Sequence, residues 1–172
     1  MFLTLDILVI AAVLLYSGGL LVIGAIVAPT VFRSGISAAA DLMTTIFTRF
    51  DRVAIALVLV ALIAEAVAVA TRGAPLDRLR IARGAFVILF AATVGVQSGY
   101  LSPTIARMHQ EGVRRYEGPR GMEFDRVHNW SSRVGKLAVS LALAATVAVL
   151  LDRQRQPSQG RDRSVDAAKT SQ

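Results

Sequence analysis

The chain has no cysteine, two histidines and 6% aromatic residues in a length of 172. Without cysteine it can form neither a disulfide nor a thiolate metal site. The two histidines, His109 and His128, do not fall among closely spaced ligands of the kind zinc requires. Neither lies deep in an apolar run, where an axial haem ligand would be needed. No Walker loop, dinucleotide fingerprint, nucleophile elbow or convincing triad is present. The sequence therefore offers no metal or cofactor site and leans away from an enzyme. The formal charge is +7 and the isoelectric point about 11.0. Its arginines are not interleaved with the aromatics that a nucleic-acid stacking surface uses, which argues against nucleic acid as a partner.

Charge is also missing over long stretches. Residues 7–32 and 84–106 hold none, 53–71 hold only Glu65, and 134–151 hold only Lys136. Hydrophobic residues make up 54% of the chain, and the mean hydropathy is +0.55. A membrane-spanning helix needs about 17–25 predominantly apolar residues, and a soluble bundle would show a polar stripe along each helix. These runs are apolar all round. They predict an all-α integral membrane four-helix bundle, with spans at about 5–29, 53–71, 84–103 and 134–151 in a domain covering 1–151. The first run has no basic start, and its apolar stretch exceeds the about 7–15 residues of a signal peptide, so it reads as an uncleaved span.

The string Phe-Asp-Arg-Val occurs at 50–53 and again at 124–127. The offset is 124 − 50 = 74. Pro29-Thr30 and Pro103-Thr104 share that offset, as do Arg33 and Arg107. All seven identities fall in one register without a gap, which points to a duplicated helical hairpin. Each copy is read as a span leaving the membrane at Pro-Thr, a long connection, and re-entry at Phe-Asp-Arg-Val. Two spans per copy make the copies parallel repeats about an axis along the membrane normal.

The first connection places Ala40, Met43, Ile46, Phe47 and Phe50 at helical spacing. That predicts an amphipathic interfacial helix at about 37–50. The second, from Met108 to Glu123, carries three glycines and a proline and reads as a broken helix and loop. Residues 152–172 are basic and polar with nothing to bury, and predict a disordered tail. Arginines concentrate between 72 and 83 and again after Leu151. That density places both termini in the cytoplasm, in what reads as a bacterial cytoplasmic membrane.

Glu65 is the one carboxylate inside its run. It lies six residues before Thr71, about 9 Å inside the membrane face. Ionised, it would cost on the order of 2.5–3.5 kcal/mol on insertion scales. Thr93 and Thr146 are expected at similar depth, making a polar intramembrane site with Glu65; a plain alternative is contact with Arg72 near the helix end. Arg33, Asp51, Arg107 and Asp125 should share one membrane face, as ion-pair latches closing each hairpin or as a headgroup site. Small residues mark close helix contacts: Gly18, Gly19 and Gly24 in the first span, Ala54, Ala61 and Ala68 in the second, Gly95 and Gly99 in the third. They also fit a homodimer. Trp130 is expected as an aromatic anchor.

The glycine-rich first span ending Ala28-Pro29-Thr30-Val31-Phe32, the pair Phe47 and Phe50, and Phe124 through Ser131 before the last span resemble one family. It is the domain of unknown function 4149 family, of transmembrane protein 205-like four-span membrane proteins. The resemblance covers about residues 7–151 and implies four spans and no established reaction. Two functions follow from the whole. One is a small transporter, channel-like or accessory membrane protein with its polar site around Glu65. The other is a non-catalytic scaffold binding anionic lipid or a partner membrane protein.

Overall fold

In lipid every backbone N–H and C=O must be satisfied within the segment, which leaves helices as the outcome for long apolar runs. The computed structural model describes residues 2–35, 38–72 and 77–169, with side chains as far as Gln154. All regular structure among these residues is helical. Helix α1 spans Phe2–Val22 and leads through a π segment, Ile23–Val27, into α2, Ala28–Arg33. Helix α3 is Ala39–Arg72 and α4 is Arg78–Val96. A second π segment, Gln97–Leu101, joins α4 to α5, Ser102–Gln110, and α6 is Gly118–Lys169. Four stretches are long and apolar enough to cross a membrane: Leu3–Arg33, Ala39–Thr71, Arg78–Gln110 and Gly118–Gln154.

Helix α1 lies most extensively along α3, and α4 along α6. Lesser contacts of α1 with α6 and of α3 with α4 close these four into a ring. The interior is lined by small and β-branched side chains. Val9, Val13, Val87, Phe90, Ala138, Ala145 and Val149 are wholly buried. Large apolar side chains point outward instead, among them Leu15, Ile63 and Ile88, each more than 60% exposed. A water-soluble bundle buries such residues; this one presents them where acyl chains would lie.

The expected exits at Pro-Thr are not exits. The helical path continues through each proline to Arg33 and to Gln110. Proline lacks an N–H, and its ring collides with the carbonyl four residues back. A π turn ahead of each proline admits one extra residue and relieves the collision. Ala28 N–H reaches back five residues to the Ile23 carbonyl, and Ser102 N–H reaches the Gln97 carbonyl. The two π segments begin 97 − 23 = 74 residues apart.

Helix α3 runs unbroken through Phe50 and Asp51, so the segment expected at the interface, 37–50, continues directly into the second span from Ala39 on. The connection expected from Met108 to Glu123 narrows to 111–117. The tail expected to be disordered begins inside α6, whose backbone is helical to Lys169. Ala54, Ala61 and Ala68 are buried as their spacing predicted. Gly18, Gly24, Gly95 and Gly99 instead have open space where a side chain would be, and only Gly19 of that set meets a neighbour, the Phe50 ring.

Gly121 has a steric reason to be glycine. A β-carbon there would stand 2.3 Å from the Arg114 carbonyl oxygen. The surrounding turn is already tight, with Tyr116 at a φ of 67°. Gly121→Ala must push the turn open. We expect destabilisation of about 1–3 kcal/mol and faster proteolysis between residues 111 and 117. A variant that melts and resists protease like the parent would refute the clash.

Candidate functional site

Asp77 sets the start of α4. Its Oδ1 accepts the Arg80 backbone N–H at 2.9 Å, which caps the helix. That start places Arg80 and Arg83 three residues apart, on one helix face. Arg83 points into the ring and is 1% exposed. Its Nη1 lies 2.8 Å from Asp6 Oδ1 of α1 and 3.4 Å from Asp152 Oδ2 of α6. Its Nε donates to Glu65 Oε2 of α3 at 2.7 Å. Nη2 is 2.6 Å from that same oxygen but is aligned for no hydrogen bond; the contact there is ionic. Arg80 Nε adds a contact to Asp152 Oδ1 at 3.5 Å.

Each of the four spanning helices thus contributes to a single buried cluster: one carboxylate each from α1, α3 and α6, and Arg83, with Arg80 at its edge, from α4. Asp6 is 2%, Glu65 8% and Asp152 3% exposed. The guanidinium's donor fork suits this work, since it can address several carboxylates from fixed directions. Buried opposite charges of this kind are tolerable only when paired. Directly beneath lies an apolar layer of Val9, Ala12, Ala61, Ala64, Val87, Ala145 and Val149. Below that, farther from the cluster, sits a second apolar layer, centred on Tyr16 and Phe90. Their rings meet edge to face, with centroids 5.0 Å apart.

A second polar group lies toward the other end. Ser98 Oγ donates to Asp51 Oδ1 at 3.1 Å. The Gln97 amide donates to Ser131 Oγ at 2.7 Å and contacts Ser102 Oγ at 3.3 Å. Gln97 and Ser98 open the second π segment. Asp51 and Glu65 are 14 residues apart on α3, so the two polar layers are separated by about 21 Å.

The structure reorders the sequence-based site. Glu65 is partnered by Arg83; the Arg72 side chain lies outside the described residues. Thr93 and Thr146 do not join it: each hydroxyl donates to a carbonyl of its own helix, that of Phe90 and that of Ala142. Asp51 and Asp125 do not pair with Arg33 and Arg107. Asp51 is buried against Ser98. Asp125 accepts from Arg115 of the preceding connection and from Asn129. Arg33 and Arg107 are exposed and make no ion pair among the described residues. His109 Nε2 lies 2.8 Å from Asp41 Oδ1 and so ties the end of α5 to the start of α3. Trp130 is outward-facing. Among the described residues no group of three His, Cys, Asp or Glu side chains is arranged to hold a metal.

Asp6, Arg83 and Asp152 escape a reading of the sequence because each sits at the edge of an apolar run, where charge is unremarked. One signal was available: in a four-span arrangement all three, with Glu65, fall at the same end of the spans.

The family model described as a domain of unknown function, DUF4149, matches residues 10–114. The chain belongs to this family. Within the DUF4149 match lie Glu65 and Arg83 and both π segments. Asp6 and Asp152, and all of α6, lie outside it. No curated protein and no solved structure matches the chain.

Proposed function

We propose that this multi-pass membrane protein is a small transporter or channel-like protein in which Glu65 is the exchangeable carboxyl and Arg83 its counter-charge. The observation that carries the reading is that Arg83 touches acids from the other three spans. Loss of the Glu65 charge, by protonation or by a competing cation, would loosen Arg83 from one helix and redistribute it over the others. A local charge change would then act on the relative packing of all four spans, as gating requires. The Tyr16–Phe90 layer is the apolar barrier such a gate would open. Intramembrane carboxylates are costly, and their commonest roles are of this type.

The finer architecture belongs to the same proposal: two hairpins, α1–α3 and α4–α6, related as parallel repeats. The 74-residue spacing of the π–proline turns and the closer packing within each pair support it. The termini are assigned to the cytoplasmic side of a bacterial membrane by the density of arginine near residues 72–83.

The test is flux. Protein reconstituted in liposomes under an imposed proton or potassium gradient should dissipate it faster than empty liposomes, read with a trapped pH dye. Glu65→Gln should remove at least nine-tenths of that rate, about 1.4 kcal/mol or more in barrier terms, while melting near the parent in detergent. Flux at the level of empty liposomes would defeat the transport reading. It would favour a scaffold, which the same cluster also suits because it clamps four helices together. A scaffold should co-purify stoichiometrically with a partner membrane protein or as a homodimer.

A further inference from the structure

A groove of about 330 Å³ opens between α3 and α5, at the end of the molecule opposite the Arg83 cluster. Thr44, Thr48, Arg49 and Arg52 form one wall, and Ala106 and Gln110 the other. Arg49 and Arg52 are exposed and make no ion pair among the described residues. No carboxylate lines the groove. The acids that neighbour these residues on α3 and α5 have other partners: Asp41 is taken by His109, Asp51 faces Ser98, and Glu111 pairs with Arg120. The threonine hydrogens are already spent, Thr44 on the Ala40 carbonyl and Thr48 on the Thr44 carbonyl. Recognition therefore falls to two guanidinium groups and one amide, a donor set that suits a phosphate oxyanion.

We infer that this groove holds the phosphodiester of an anionic phospholipid. The position selects lipid over free phosphate. Both walls stand where charge-free sequence begins or ends, at Val53 on α3 and at Ala106 on α5. Val53, next to Arg52, is 54% exposed and offers an apolar wall for the first acyl carbons. A headgroup at this boundary has its phosphate level with the arginines and its chains along α3. The charge selects anionic over zwitterionic lipid, because a choline would bring its own cation to a site holding two guanidiniums and no acid. The His109–Asp41 contact keeps the two walls at fixed separation, so the site is built before the lipid arrives.

Native mass spectrometry of the detergent-solubilised full chain, titrated with phosphatidylglycerol, phosphatidylcholine or inorganic phosphate, tests this. One phosphatidylglycerol per chain should bind ahead of any further adducts. Arg49→Gln with Arg52→Gln should weaken that first site about tenfold or more. The control pair Arg114→Gln with Arg126→Gln, exposed arginines away from the groove, should leave it within about twofold. Melting in detergent confirms that both variants are folded; if the double variant is not, Arg49→Lys with Arg52→Lys replaces it, with weaker binding expected because the bidentate fork is lost. Equal loss in the control pair, equal affinity for phosphatidylcholine, or full displacement by millimolar inorganic phosphate would each overturn the proposal.

Discussion

Arg83→Met is expected to be the most damaging single substitution in the protein. It leaves Asp6, Glu65 and Asp152 buried without the guanidinium that faces all three. Breaking a buried ion pair by deleting one partner costs about 3–5 kcal/mol, which for a chain of this size lowers the melting temperature by roughly 6–20 °C. Adding Asp6→Asn, Glu65→Gln and Asp152→Asn to Arg83→Met should restore much of the loss, since only the partly exposed Arg80 then keeps a charge at the cluster. A parent-like melt for Arg83→Met would show that the cluster does not hold the bundle together.

Phe90→Ala should have the next largest effect. Phe90 is completely buried and packs edge to face on Tyr16. Val13, Ala54, Val58, Val94, Ala138 and Ala142 share this layer. Truncating a buried phenylalanine costs about 3–5 kcal/mol in water-soluble cores. In a bilayer the unfolded helices already sit in hydrocarbon, so the lost packing remains while much of the transfer contribution disappears. A drop of about 2–3 kcal/mol is expected on that basis. The vacated volume lies between the two polar layers, and small residues on α3 and α6 offer nothing to fill it. If the transport reading holds, this variant should leak protons even when Glu65 is replaced. Phe90→Leu, which refills most of the space, should leak far less. Unchanged stability together with unchanged flux in Phe90→Ala would remove the aromatic layer from the mechanism.

The spans were legible in the sequence because a bilayer imposes one simple demand, about 20 residues without charge, and four runs meet it. The site was legible only in part, and the reason lies in what charge signifies at a membrane edge. Glu65 stood out because its neighbours are all apolar. Arg83 did not, because Arg72, Arg78 and Arg80 precede it in a short basic connection, where arginine ordinarily fixes topology. Its role depends on the Asp77 cap, which sets the helical phase and turns Arg83 inward. Asp6 and Asp152 are separated by 146 residues and meet only when the ring closes. Thr93 matched Glu65 in estimated depth, but depth carries no azimuth: ten residues beyond Arg83, it is about 15 Å further along α4. The latches expected from Arg33 and Arg107 failed for a related reason. The π turns carry the helix past each proline, and those arginines end on outer faces.

The spanning helices are 31, 33, 33 and 37 residues long. At 1.5 Å per residue a 33-residue rod measures about 50 Å, whereas the hydrocarbon slab is about 30 Å thick. Some 20 Å of each rod must therefore be wetted by headgroups or water, even with moderate tilt. The Asp41–His109 and Arg115–Asp125 contacts sit in that overhang. A protein with such short connections would ordinarily be hidden from the aqueous phase, but this one raises a helical collar above the lipid that soluble proteins, antibodies and proteases can reach.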